Sequence, residues 1–242
     1  MFKRIIFVVL FFLLACQTTG EKNIEFIRDR QAKLQTLPKW VPTWCRIESH
    51  ITQPALAVYG KLFPEENDHV TDGTLNYTWK ARSYSCEVTA LDPSRIASNH
   101  QAFLETALCI LLQTHWVNSP FEQLEMVPRD ISKDKNGTIH IQSSMIDKSL
   151  GVYLDPTNFK IETRTKTHGV LKAVYTESAN HEWLPSRLEQ ITPKAKIVID
   201  EIDYDTNVMN RRHLIKSLWI SVGNIEEPIR HAQLTFNDCQ SF

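Results

Sequence analysis

The groups able to do chemistry are nine histidines, a run of four carboxylates and five cysteines. The histidines stand at 50, 69, 100, 115, 140, 168, 181, 213 and 231. None falls in an HxH or HExxH spacing, which would place two imidazoles around one metal ion on a strand or a helix. The sequence therefore gives no metal centre. Ser132-Lys133-Asp134-Lys135-Asn136-Gly137-Thr138-Ile139 has the outline of a calcium loop. It puts Ser132 and Ser143 where such a loop needs Asp and a bidentate Glu, and it reads as a turn before a strand. Asp200-Glu201-Ile202-Asp203-Tyr204-Asp205 could pair carboxylates for acid–base work. Yet Ile202 and Tyr204 alternate with Asp203 and Asp205, as on a strand with one solvated face. Asp200 and Glu201 sit where that alternation changes phase, the mark of a bulge. No GxSxG elbow is present and no cysteine neighbours a histidine. Ser49-His50 and Ser98-Asn99-His100 carry no information by adjacency alone, and His100 reads as a satisfied face residue. The chain reads as a non-enzyme, with no catalytic residue and no cofactor.

Cys16 differs from the other cysteines by what precedes it. Met1-Phe2-Lys3-Arg4 is a short positive start, and Ile5 to Ala15 is an unbroken apolar run of eleven. As a helix at 1.5 Å per residue that run is about 16 Å long, about half of a bilayer's hydrocarbon core. It reads as the core of a signal peptide over 1–15 rather than a membrane span. Leu13-Leu14-Ala15-Cys16 resembles the lipobox of bacterial lipoproteins: an aliphatic residue, then a small one directly before cysteine. The resemblance implies diacylglyceration of the Cys16 thiol, cleavage before it, and acylation of the new amine, palmitate being a typical chain. Several acyl chains anchor stably where one binds marginally. Gln17 in place of Asp after the cysteine implies an outer-membrane address, with the domain facing the periplasm.

Cys45, Cys86, Cys109 and Cys239 remain. Outside the cytoplasm disulfides are expected, and four thiols allow three pairings. Cys45 and Cys86 flank a hairpin, so Cys45–Cys86 is the favoured bridge. A reduced Cys109 within the apolar stretch Phe103–Leu112, or four buried thiols, are the alternatives. No CxxC occurs, which removes thioredoxin-like and zinc-knuckle readings. With 27 basic against 28 acidic residues, no field favours nucleic acid. Seven glycines in 242 residues argue against phosphate-binding loops.

The elements that must position these groups follow from periodicity. Glu21 to Leu37 carries Ile24, Ile27 and Leu34 at helical spacing and predicts an amphipathic helix, so that 16–38 is a lipidated tether and 39–242 a single domain. Ala55 to Phe63 reads as strand. Leu75, Tyr77, Trp79 and Ala81 alternate with polar residues and predict a half-buried strand. Asp92-Pro93 starts a long apolar helix to about Trp116, with Ile96, Phe103, Leu104, Ala107, Leu108, Leu111 and Leu112 as its stripe. Beyond Pro128 strands follow one another without helices between them, which means antiparallel pairing. Among these, Leu214, Lys216, Leu218, Ile220 and Val222 share one face, and Ala232, Leu234 and Phe236 close the series. The fold class is α+β, a curved antiparallel sheet, an incomplete barrel, around one long apolar helix.

In order of parts the chain resembles the periplasmic lipoprotein-carrier superfamily that includes LolA and LolB. The resemblance rests on the lipobox, the amphipathic helix, the strand Leu75-Asn76-Tyr77-Thr78-Trp79, the apolar helix and the later meander. Within the meander, Gly169-Val170-Leu171-Lys172-Ala173-Val174-Tyr175 is followed by Leu184-Pro185-Ser186-Arg187-Leu188. Such proteins hold lipoprotein acyl chains in an apolar cavity. The resemblance implies a lipid or lipoprotein ligand, and Tyr77, Trp79, Phe103, Ala107, Leu111, Leu218 and Ile220 are the candidates to line a cavity. A filled core would instead mean a structural or interaction lipoprotein that meets an envelope protein partner.

Overall fold

The computed structural model describes residues 43–65, 73–82, 85–91, 94–112, 130–133, 135, 139–145, 148–154, 159–165, 169–177, 183–205 and 214–241. The signal peptide, Cys16 and the amphipathic helix expected before residue 38 lie outside the described residues. The chain divides into two compact units, Met1–Leu37 with Glu177–Trp183 and Pro38–Thr176 with Leu184–Phe242. Both described helices and nearly all described strand residues belong to the second.

That unit is α+β, with twelve strands in one sheet. They are β1 (Thr43–Ile51), β2 (Thr74–Arg82), β3 (Ser85–Ala90), β4 (Asp130–Lys133), β5 (Ile139–Met145), β6 (Lys148–Leu154), β7 (Phe159–Thr165), β8 (Gly169–Glu177), β9 (Trp183–Ile191), β10 (Lys196–Asp205), β11 (Leu214–Gly223) and β12 (Pro228–Ser241). Their order is β3-β2-β1-β12-β11-β10-β9-β8-β7-β6-β5-β4, so consecutive strands are neighbours except where β12 joins β1. The paired strands run antiparallel, and the sheet stays open with β3 and β4 as its edges.

Among the described residues two helices accompany the sheet: α1 (Gln53–Leu62) and α2 (Arg95–Glu105), the latter continuing into a π-helical segment over Thr106–Leu112. The Ser94 hydroxyl caps α2 by accepting from the Ala97 N–H at 2.9 Å, so the helix starts later than Asp92-Pro93 suggests. Its buried stripe is Ile96, Ala97, His100, Leu104, Ala107, Leu108, Leu111 and Leu112, each at most 1% exposed. The stripe packs on inward residues of β1 (Cys45, Ile47, Ser49) and β2 (Leu75, Tyr77, Trp79, Ala81), all buried. Burying one large apolar side chain contributes roughly 1.5–3 kcal/mol, so this face supplies much of the fold's stability. The π-helical segment touches both β3 and β10, five strand spacings apart in the sheet. A flat sheet would hold those strands about 24 Å apart, so this half bends over the helix.

Residues 53–62 correct the reading of Ala55–Phe63 as a strand. Pro54 occupies the first turn of α1, where its missing N–H costs no hydrogen bond. Ala55 and Tyr59, one turn apart, are buried, while Val58 and Leu62 are exposed. A short, uniformly apolar run fits helix and strand equally by period, and the proline at its start decides.

The strands also break their alternation at identifiable points. Between β10 and β11 the register jumps after Asp200↔Trp219, with Glu201 at φ +48, the bulge expected there. A compensating shift at Lys216 buries both Ile215 and Leu218, which the strict alternation of Leu214–Val222 had put on opposite faces.

The disulfides are Cys45–Cys239 and Cys86–Cys109, which corrects the favoured Cys45–Cys86 pairing and the reduced Cys109. Across β1–β2, Cys45 stands opposite Trp79, and across β2–β3, Cys86 stands opposite Ala81. A whole strand separates the two thiols. On the other side of β1, Asp238 and Cys239 together oppose Cys45 in a bulge with Asp238 at φ +51, bringing Cys45 and Cys239 to a Cα separation of 4.2 Å. Cys86–Cys109 ties edge strand β3 to the π-helical segment.

In chain-entropy terms a loop of 194 residues makes the first bridge worth about 5 kcal/mol, and one of 23 makes the second worth about 3.5 kcal/mol. Replacing Cys45 and Cys239 by alanine should therefore cost more than replacing Cys86 and Cys109, by about 2 kcal/mol. Urea unfolding of the two double variants checks the order; a costlier loss of the shorter bridge would show that it acts through native packing instead.

Candidate functional site

Helix α1 leaves the end of β1 and is fixed at once to β12. The Thr52 N–H donates to the His231 carbonyl at 2.9 Å, and the Thr52 hydroxyl donates to the Arg230 carbonyl at 2.8 Å. From its buried face Tyr59 reaches inward between His100 on α2 and His231 on β12. The phenol oxygen lies 3.3 Å from His100 Nδ1 and 3.2 Å from His231 Nε2, and the two ring nitrogens are 3.4 Å apart. On its far side His100 Nε2 is 2.8 Å from the Ser49 hydroxyl of β1. The Phe103 ring centroid sits 4.4 Å from that of His231 and 5.8 Å from that of His100, and the Tyr77 ring centroid is 5.7 Å from that of His100.

Four elements thus converge on one polar cluster inside an aromatic shell. An imidazole nitrogen either donates or accepts, so the Tyr59–His100–His231 triangle supports two hydrogen bonds at a time. In one arrangement Tyr59 donates to His100 Nδ1 and accepts from His231 Nε2–H, while His100 Nε2–H donates to Ser49. In the other, every one of these protons is reversed. Either way the His–His edge is not a hydrogen bond.

Ser49 and His100 are at the distance of a nucleophile and its base. Ser49, however, is fully buried, and His100 Nδ1 meets a phenol and an imidazole rather than a carboxylate. The pair as it stands is a satisfied internal contact. Among the described residues no group of three or more His, Cys, Asp or Glu side chains is arranged to hold a metal ion.

Beside the cluster lies a groove of about 250 Å³, lined by Pro54, Ala55, Val58, Tyr59, Val222 and Ile229 with Arg230 and His231. Val58 is 56% exposed and Ile229 61%. Arg230 pairs with Glu201, and its guanidinium lies 4.5 Å from the Trp219 ring centroid.

The carboxylate run of β10 forms a ladder of ion pairs. Arg187 spans Glu189 at 2.8 Å and Asp200 at 3.4 Å, and Lys196 lies 3.3 Å from Glu189. Burial pushes the Glu189 carboxyl up, but Arg187 and Lys196 more than offset it and leave its pKa below the ordinary range. At Asp200 burial outweighs Arg187 and Arg230 and raises the pKa; its Oδ1 has no hydrogen-bond partner among the described residues.

The residues expected to line a cavity are elsewhere. Tyr77, Ala107, Leu111, Leu218 and Ile220 show no exposed area and Trp79 1%, so they are buried in the core and do not line the groove. Trp79 instead packs edge-on against Phe236 at 5.6 Å, and Tyr77 donates to the Ala97 carbonyl at 3.2 Å. Phe103 joins the histidine cluster. Cys45, Cys86, Cys109 and Cys239 are all in disulfides, while Cys16 lies outside the described residues.

No motif or spacing in the sequence distinguishes Tyr59 or His231. By parity with Ala232, Leu234 and Phe236, His231 should face away from the core. The register shift between Ile220↔Ala232 and Ser221↔Arg230 makes His231 the extra residue of a bulge and turns it inward.

Burial lowers the His231 pKa from 6.5 to about 4; burial and then His231 lower that of His100 to about 3. Both rings are neutral in the folded protein at neutral pH, whereas an unfolded chain takes up those protons near pH 6.5. Stability is therefore complete above about pH 6.5 and is lost as pH falls toward 4, at about 1.4 kcal/mol per pH unit for His100 alone. Urea unfolding at about pH 7 and pH 5 should show His100→Gln reducing the pH-dependent loss by about 2 kcal/mol. An unchanged loss in that variant would mean the ring is not buried neutral.

Comparison of the chain with family models, with curated proteins and with solved structures finds no match.

Proposed function

We propose that this chain is a lipid-anchored protein of the bacterial envelope, held to the outer membrane through acylated Cys16, whose domain works by meeting a protein partner. The observation that carries the reading is the packing of the long helix on the bent sheet. The side chains expected to line an acyl-chain cavity fill that space themselves, six of the seven with at most 1% of their area exposed. Two disulfides accord with an oxidising compartment such as the periplasm. Among the described residues no helix is long and apolar enough to cross a membrane.

A second reading, acyl-chain binding, has one observation in its favour: the apolar groove of α1 with exposed Val58 and Ile229. At about 250 Å³ that groove falls short of the about 300–1,000 Å³ usual for small-molecule sites.

Expressed in a Gram-negative host fed labelled palmitate, the full chain should incorporate label and fractionate with the outer membrane, and Cys16→Ser should do neither. Label retained in Cys16→Ser would overturn the anchor. The chain beginning at Gln17, purified from the periplasm, should give the protein's own mass in native mass spectrometry. A co-purifying mass that organic solvent removes and that fragments as lipid would overturn the filled-core reading in favour of a carrier.

A further inference from the structure

The phenol oxygen of Tyr59, His100 Nδ1 and His231 Nε2 form a nearly equilateral triangle with edges of 3.2, 3.3 and 3.4 Å. Two of these edges are longer than the about 2.7–3.2 Å usual for a hydrogen bond and the third is at its upper end, and one of the three cannot be a hydrogen bond while the other two are. A tetrahedral ion with bonds of about 2.0–2.1 Å holds its donors about 3.3–3.4 Å apart. We propose that Tyr59, His100 and His231 are the ligands of a first-row divalent transition-metal ion, zinc or copper(II), in a three-donor site whose fourth position takes water or a small anion.

Three further observations support the assignment. The imidazole planes lie within 22° of each other with centroids 5.3 Å apart. Two rings directed at one tetrahedral ion have centroids about 5.2 Å apart, given the same bond lengths. His100, if it binds through Nδ1, must carry its proton on Nε2, and there the buried Ser49 hydroxyl stands at 2.8 Å to accept it. A ligating histidine is characteristically oriented by such a bond from its other nitrogen. Finally, Tyr59 and His231 line the groove, which gives an ion from solvent a way in.

The two-nitrogen, one-oxygen donor set suits borderline ions rather than calcium or magnesium. Binding breaks the Tyr59 O–H bond and forms a metal–phenolate bond; the proton leaves to solvent, and the ion with its phenolate carries a single positive charge. Three protein ligands plus an exchangeable one is the pattern of an open site rather than a closed structural one.

The test uses the untagged full chain in detergent, stripped with chelator and titrated with zinc or copper(II) alone. One equivalent should bind saturably. Copper should give a visible phenolate-to-copper charge-transfer band. Tyr59→Phe should abolish that band, and His231→Gln and His100→Gln should each weaken binding at least a hundredfold. Ser49→Ala should weaken it about 10–100-fold. Circular dichroism of the metal-free variants establishes that they fold; Tyr59→Phe and His231→Gln keep the test decisive if His100→Gln does not. No saturable binding, or binding of equal strength in all the variants, overturns the site. So does a copper complex whose charge-transfer band survives in Tyr59→Phe.

Discussion

Strand β12 is the constraint on which the other parts depend. It pairs with β1 on one side and β11 on the other, so the N-terminal hairpin strands join the later meander through it. A regular strand could not serve its purposes, because alternation would send its side chains to fixed faces. Two one-residue shifts break the alternation, one at His231 and one where Asp238 and Cys239 together oppose Cys45. The first turns an imidazole into the interior under α1. The second brings a thiol against β1 and closes the longest covalent loop in the chain. Between them Ala232, Leu234 and Phe236 keep regular parity and bury against the helix side of the sheet.

The bulges also mark how far the sequence was legible. The alternation of Leu75, Tyr77, Trp79 and Ala81 placed β2 and its buried face correctly, because every second residue there is polar and no shift intervenes. The apolar stripe from Ile96 to Leu112 likewise announced the central helix, and the phase change at Asp200-Glu201 announced its bulge. Ala55–Phe63 misled because an apolar run without polar alternation has no period to read. Cys45–Cys86 does not form because nearness along a hairpin is not nearness in space, and the strand that brings Cys45 its partner comes from the far end of the chain. The histidine cluster was illegible for a related reason. Its members lie at 49, 59, 100 and 231, on four different elements, and one of them points inward against its own parity.

Placing two imidazoles, a phenol and a hydroxyl inside an aromatic shell is costly unless each finds a partner. Here the same contacts also fix α1. That helix buries Ala55 and Tyr59 and exposes Val58 and Leu62, so apolar contact alone specifies its position weakly. Thr52 pins its first turn to β12, and Tyr59 pins its middle to α2 and β12 at once. Because the phenol can donate to either ring while accepting from the other, the cluster holds the helix through two complementary proton arrangements of similar bonding. Specific placement comes from the polar contacts, not from the area buried.

This division of labour bears on what the domain can do. Where the long helix meets β1, β2, β3 and β10, large side chains are buried against one another, and a packed interior resists change because each side chain is already in contact on all sides. The junction of α1 with the sheet is different in kind: a small apolar groove, a floor of neutral polar groups, and a helix held by a few directional bonds. The sheet acts as the frame that brings Ser49, His100 and His231 from distant parts of the chain to within reach of Tyr59.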